Sequence, residues 1–191
     1  MTILETLLLA AGMSMEIFAW VVCKSSDYSK IDKRKMFLFT LAFGIWEAIA
    51  LLAGYYGVYL LKRTGLSNNA SNMMRLIAIV FFIVFACKFL YKGIKNDQIS
   101  EKRSDDVSFG VLMKSVGRIS LYIFLEGIGL SLCDTPFWSE FTIPLIASLL
   151  TAICALWAGY HYGFEVKTRA YIIGFILIII AIAEMVFRFM L

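Results

Sequence analysis

Gly12-Met13-Ser14-Met15-Glu16-Ile17-Phe18-Ala19 lies inside the first long apolar run of the chain, residues 3–23. A helix needs roughly 20 mostly apolar residues to cross about 30 Å of hydrocarbon. A carboxylate at that depth costs about 2.5–3.5 kcal/mol on insertion scales. An acid kept there at that cost points to a role. Five further apolar runs follow, at 36–61, 73–94, 109–132, 139–162 and 170–190. The fourth is the weakest, because Lys114 and Arg118 interrupt its first half. Glu47 and Glu126 lie near the middles of the second and fourth runs. Acids in three spans suggest a site between helices, and the guest that suits them is a cation.

Composition agrees with a membrane location. Mean hydropathy is +0.81, and 61% of the 191 residues are hydrophobic. Strand alternation is absent, which argues against a barrel. The expected fold is an all-α polytopic membrane protein with six transmembrane helices. The first run has no basic start and contains Glu16, so it reads as a retained span rather than a cleaved leader. Basic residues set the orientation. Lys24, Lys30, Lys33, Arg34 and Lys35 follow the first run, Lys92, Lys95, Lys102 and Arg103 the third, and Lys167 and Arg169 the fifth. The other side has Lys62, Arg63, Arg75 and Arg188. The excess predicts cytoplasmic odd-numbered loops and both termini outside. This bias accounts for the net charge of +4, so charge gives no reason to expect a nucleic-acid partner.

The polar stretch 95–107 reads as a cytoplasmic linker between two three-helix halves, 1–94 and 108–191. Ser14-Met15-Glu16-Ile17-Phe18 lines up with Ser120-Leu121-Tyr122-Ile123-Phe124, and Ala53-Gly54-Tyr55 with Ala158-Gly159-Tyr160. An odd helix number makes the second copy enter from the opposite side. The two halves then form an inverted repeat, with a site near the midplane where they meet. Chance likeness between apolar helices is the competing explanation. Small residues share stripes with the acids: Glu47, Ala50, Gly54 and Gly57 in the second run, Ser115, Tyr122, Glu126, Gly129 and Cys133 in the fourth, and Gly12, Glu16, Ala19 and Cys23 in the first. Small residues let membrane helices approach closely, so the acids should face protein or water.

These motifs resemble the MntP-type manganese exporters, six-helix bacterial inner-membrane proteins of the LysE-like transporter group. Gly12 to Ala19 is similar to that family's G-M-S-M-D-A-F-A. Phe43-Gly44-Ile45-Trp46-Glu47 matches F-G-x-x-E. Lys88, followed by Gly93, stands where the family has a basic residue, and Ile119-Ser120-Leu121-Tyr122 is similar to T-S-L-D. The resemblance implies secondary transport of a divalent cation, Mn2+ as substrate rather than cofactor, in a bacterial plasma membrane. Three positions depart from the pattern. Glu16 replaces an aspartate, Tyr122 replaces the fourth-helix aspartate with Glu126 one turn further on, and Arg118 replaces a small residue. A fixed cation at Arg118 should repel a dication.

Manganese accepts hard oxygen ligands. Glu16, Glu47 and Glu126 supply charged oxygens, with Ser14 and Ser120 as neutral ones and Lys88 and Arg118 as charge partners. The structural alternative pairs Glu47 with Lys88 and Glu126 with Arg118. Lys88 either occupies the carboxylates in the empty carrier or snorkels to the cytoplasmic surface. Met13 and Met15, the four cysteines and His161 read as packing or interfacial residues rather than ligands. Glu184 and Arg188 read as an i,i+4 helix pair. No nucleophile–base pair, phosphate loop or dinucleotide motif appears, so an enzyme is not expected. The alternative function is a non-transporting membrane scaffold, such as a sporulation-associated protein of the same fold. Export of another solute, an amino acid or cadmium, is a third reading, and homo-oligomerisation stays open.

Overall fold

A computed structural model describes residues 2–26, 33–63, 68–95, 109–133, 136–162 and 165–190. They form α1 (Ile3–Ser26), α2 (Lys33–Arg63), α3 (Asn68–Ile94), α4 (Phe109–Leu132), α5 (Phe137–Tyr162) and α6 (Val166–Met190). Five of these are long and apolar enough to cross a membrane, namely all but α4. In α4 the described apolar stretch is Ser120–Leu132; the side chains of residues 109–119 lie outside those described. Apart from Lys95, the predicted linker lies outside the described residues.

Local chemistry fixes the start of α1. The Thr2 backbone N–H donates to Glu5 Oε2 at 2.7 Å, and the Glu5 N–H donates to Thr2 Oγ1 at 3.2 Å. This reciprocal capping box satisfies donors that a helix start otherwise leaves open. Glu5 is buried, and Arg188 of α6 approaches its Oε1 at 3.8 Å. The expected pairing of Arg188 with Glu184 is therefore corrected. The long guanidinium reaches across to the neighbouring helix, where a buried acid offers a stronger field than one on its own helix.

α1 packs most extensively against α5 and α6, α2 against α4, and α3 against α6. Between hydrocarbon-embedded helices the hydrophobic effect supplies little, and close packing has to hold them together. Two apolar clusters do this. One joins α1, α3, α4 and α6 around Leu9, Phe82, Phe89 and Ile178. The other joins α1, α2, α4 and α5 around Val22, Phe43, Leu51 and Ala155. Large apolar side chains such as Ile49, Val84, Leu150, Ile176 and Phe187 point outward, where a bilayer would cover them.

α2 and α4 approach each other closely, backbone against backbone. A Cβ added to Gly54 would lie 2.5 Å from the Phe124 carbonyl oxygen, and one added to Gly127 would lie 2.9 Å from the Leu51 carbonyl oxygen. Gly54 thus fulfils its expected packing role. Gly57 does not, since a Cβ there would meet nothing within 4 Å. Ten residues of helix advance about 1000°, so Gly57 has rotated about 80° away from Glu47. Gly129 packs on α3 instead, beneath the Phe82 ring.

Candidate cation site between the helices

All three sequence-predicted acids are buried: Glu16 is 6% exposed, Glu47 1% and Glu126 5%. Each has a carboxylate oxygen with no hydrogen-bond partner. A buried ionised carboxylate that lacks compensation is costly, because water is lost and nothing replaces it. The three differ in what surrounds them.

Glu16 faces α3, where Lys92 forms an ion pair with its Oε1. The Lys92 ammonium also lies 3.5 Å from the Tyr122 hydroxyl, 5.2 Å from the Tyr122 ring centre and 5.4 Å from that of Tyr171. Lys88 is exposed. Its ammonium donates to the Tyr122 hydroxyl and sits 4.0 Å from the centre of the same ring. Of the two expectations for Lys88, a place on the carboxylates or snorkelling to the surface, its exposure fits the second, and the expected Glu47–Lys88 pair does not form. The lysine that meets a carboxylate is Lys92, one turn further along α3. Helical spacing puts both lysines on one face, and only Lys92 meets Glu16. Tyr122, where the family pattern has an acid, instead presents a ring and a hydroxyl to both ammonium groups, a cation–π arrangement.

Glu47 and Glu126 lie on α2 and α4 and are close enough to feel each other's charge. Ser148 of α5 lies near Glu47, but its hydroxyl donates to the Leu145 carbonyl at 3.0 Å. Nothing in the sequence pattern had marked Ser148. No described residue forms an ion pair with either acid. Arg118 is on α4, and its side chain lies outside those described, as does the expected Arg118–Glu126 pairing.

Ser14 is buried, but its hydroxyl is engaged: it bonds the Ala11 carbonyl at 2.9 Å and lies 3.0 Å from Thr151 Oγ1 of α5. Ser120 is half-buried. Among the described residues, no group of three or more His, Cys, Asp or Glu side chains is gathered closely enough to hold a metal ion. Glu47 and Glu126 come together, while Glu16 is held by its lysine. His161 is exposed, with a ring nitrogen 3.0 Å from the Trp157 carbonyl oxygen. Among the described residues, the four cysteines form no disulfide.

Sequence reasoning missed Glu140, which is 2% exposed in the first turn of α5. The capping-box spacing Thr2-x-x-Glu5 was a readable signal for Glu5, and no comparable motif marks Glu140.

Helices long enough to span a bilayer, with acids set into the seams between them, define a multi-pass membrane protein of the transporter class. The chain belongs to the family described as "Putative manganese efflux pump" (Mntp), which matches residues 30–185. That is a family of efflux transporters, not of enzymes. The chain is 23% identical over 179 residues to the "Putative manganese efflux pump MntP" of Ruminiclostridium cellulolyticum, covering 94% of this chain and 92% of that one. The protein of the same description from Yersinia pestis strain Pestoides F is 26% identical over 180 residues, again with 94% and 92% coverage. No solved structure matches the chain.

Proposed function

We propose that this protein exports a divalent cation, Mn2+, from the cytoplasm across a bacterial plasma membrane, with both termini outside. The observation that carries the reading is the Glu47–Glu126 pair. Two buried acids lie within electrostatic range of each other, with no basic side chain among the described residues paired to either. A hard dication bridging them would remove their repulsion and fill the open oxygens. Glu16 is the third ligand of the loaded carrier, with Ser14, Ser120 and retained waters as neutral donors. In the empty carrier Lys92 takes the cation's place on Glu16. Alternating access would follow from one three-helix half rocking against the other. The packing order supports this, since α1 on α5 and α2 on α4 are exchanged when the halves are swapped.

A second reading has its own observation. Tyr122 stands where the family pattern has an acid, and beside it Lys92 is paired with Glu16. A scaffold that has replaced its ion with a tethered ammonium would look the same. Expression in cells lacking their manganese exporter separates the two. The transport reading expects cellular manganese to fall and Glu47→Gln to cancel the fall. Unchanged manganese with the wild-type chain in the membrane leaves the scaffold.

A further inference from the structure

Two ammonium groups meet at one hydroxyl near the end of α3 that the basic loops assign to the cytoplasm. Lys88 donates to the Tyr122 hydroxyl, and the Lys92 ammonium lies 3.5 Å from the same oxygen. They also sit 4.0 and 5.2 Å from the centre of the Tyr122 ring, which the Phe85 ring backs at 6.0 Å. Like charges gathered on one side chain repel each other. Glu16 supplies a carboxylate, and it is paired with Lys92. Among the described residues Lys88 pairs with no carboxylate; its partners are a neutral hydroxyl and a ring. A positive charge is therefore left over where an exposed side chain opens to the surroundings of the bundle.

The face of α3 that carries Lys88 continues in both directions. Lys92 and Lys95 follow it by four and seven residues, and Val84, Val80 and Ile77 precede it by four, eight and eleven. Steps of three and four keep to one helix face. Lys95 is exposed at the end of the helix, and Val84, Val80 and Ile77 are exposed along the span. The stripe thus changes from cationic to apolar as it enters the membrane. From Lys88 to Ile77 the helix rises about 16 Å, about half of a hydrocarbon core of about 30 Å and so the depth of one leaflet. A soluble anion would use the charge and leave the apolar stripe unmatched. A molecule with an anionic head and a long apolar tail matches both parts. Lys88 starts six residues inside the end of the span at Ile94, and lysine stems reach from such depths toward the headgroup level.

We propose that this face of α3 is a binding site for an anionic phospholipid of the cytoplasmic leaflet. The phosphodiester accepts from the Lys88 ammonium, within the field of Lys92 and Lys95, and an acyl chain lies along Val84, Val80 and Ile77. Basic clusters beside membrane helices on the cytoplasmic side suit such headgroups. Tyr122 holds the Lys88 ammonium in place for the phosphate, while Lys92 stays on Glu16, so the lipid binds without disturbing the buried acids. The site does not depend on a metal being carried.

The test is native mass spectrometry of the purified full chain in detergent, titrated without Mn2+ against equal amounts of dioleoyl phosphatidylglycerol and dioleoyl phosphatidylcholine. The wild type is expected to retain the phosphatidylglycerol in preference. Lys88→Met should weaken that binding roughly fivefold, the share of one basic residue near the headgroups, and Lys88→Arg should keep it. Arg188→Met, at the opposite end of the bundle, should leave it unchanged. Lys95→Met, beyond the apolar span, is expected to act in the same direction as Lys88→Met and serves if that variant fails to fold. No preference for the anionic lipid, or an equal loss in Lys88→Met and Arg188→Met, overturns the site. Inorganic phosphate in excess is expected not to displace the lipid; displacement overturns the lipid assignment in favour of a plain anion site.

Discussion

The Glu16 end of the molecule and the α2–α4 seam treat the same problem in opposite ways. At Glu16, burial of a carboxylate is compensated inside the protein by the Lys92 ammonium, backed by two aromatic rings. In the seam, Glu47 and Glu126 are buried together with no described base. The first arrangement has its charge neutralised by the protein and the second does not. The contrast teaches that depth in the bilayer does not by itself mark a binding site. The charge left over after the neighbours are counted does.

The largest effect that would break the contrast is on binding. Glu126→Gln is expected to abolish Mn2+-dependent thermal stabilisation, which at a hundred times Kd amounts to about 2.7 kcal/mol. A melting curve in detergent with and without Mn2+ measures it, and unchanged stabilisation would remove Glu126 from the site. Next is Lys92→Met, which leaves Glu16 buried and unpaired. Breaking a fully buried pair costs about 3–5 kcal/mol, and because the Lys92 side chain is 30% exposed a loss of about 2 kcal/mol is expected. Adding Glu16→Gln should recover most of it. If the double variant is no better than the single, the pair does not act as described.

Packing sharpens the comparison further. Gly54→Ala should cost about 1–3 kcal/mol as an overpacked contact, because its new carbon meets backbone that cannot yield. Gly57→Ala, with open space, should instead be neutral or gain up to about 1 kcal/mol. Equal melting temperatures for the two would contradict the α2–α4 crossing. The smallest effect is Arg188→Ala. The Arg188 side chain is 60% exposed and 3.8 Å from Glu5, so less than about 1 kcal/mol should be lost.

Much of the architecture could be read from residue order. Apolar runs of membrane length gave the helices, and the buried acids stood out because nothing else explains a carboxylate in such a run. The details that escaped are those decided across helices. Lys88 and Lys92 are a turn apart on one face, and the sequence cannot say which of two equally long side chains finds Glu16. Stripe counting identified Gly54 but extended to Gly57, since a period of 3.6 drifts off a face within three turns. Gly127 lies beside Glu126 but off its stripe, so only the α2–α4 crossing reveals its role. Glu140 and Glu5 lie at span ends, where an acid normally meets water, and only tertiary contacts bury them.

The crossing at Gly54 and Gly127 has a mechanical consequence. Where two backbones touch through glycine, there are no side chains to interleave, so nothing acts as a ratchet against rotation, while neighbouring carbonyls obstruct travel along the axis. α2 and α4 are thus joined as a pivot that swivels without sliding. Glu47 stands seven residues from that fulcrum, a lever arm of about 10 Å, so a swivel of about 10° about the contact carries it by about 2 Å. A shift of that size separates a closed oxygen shell around an ion from an open one.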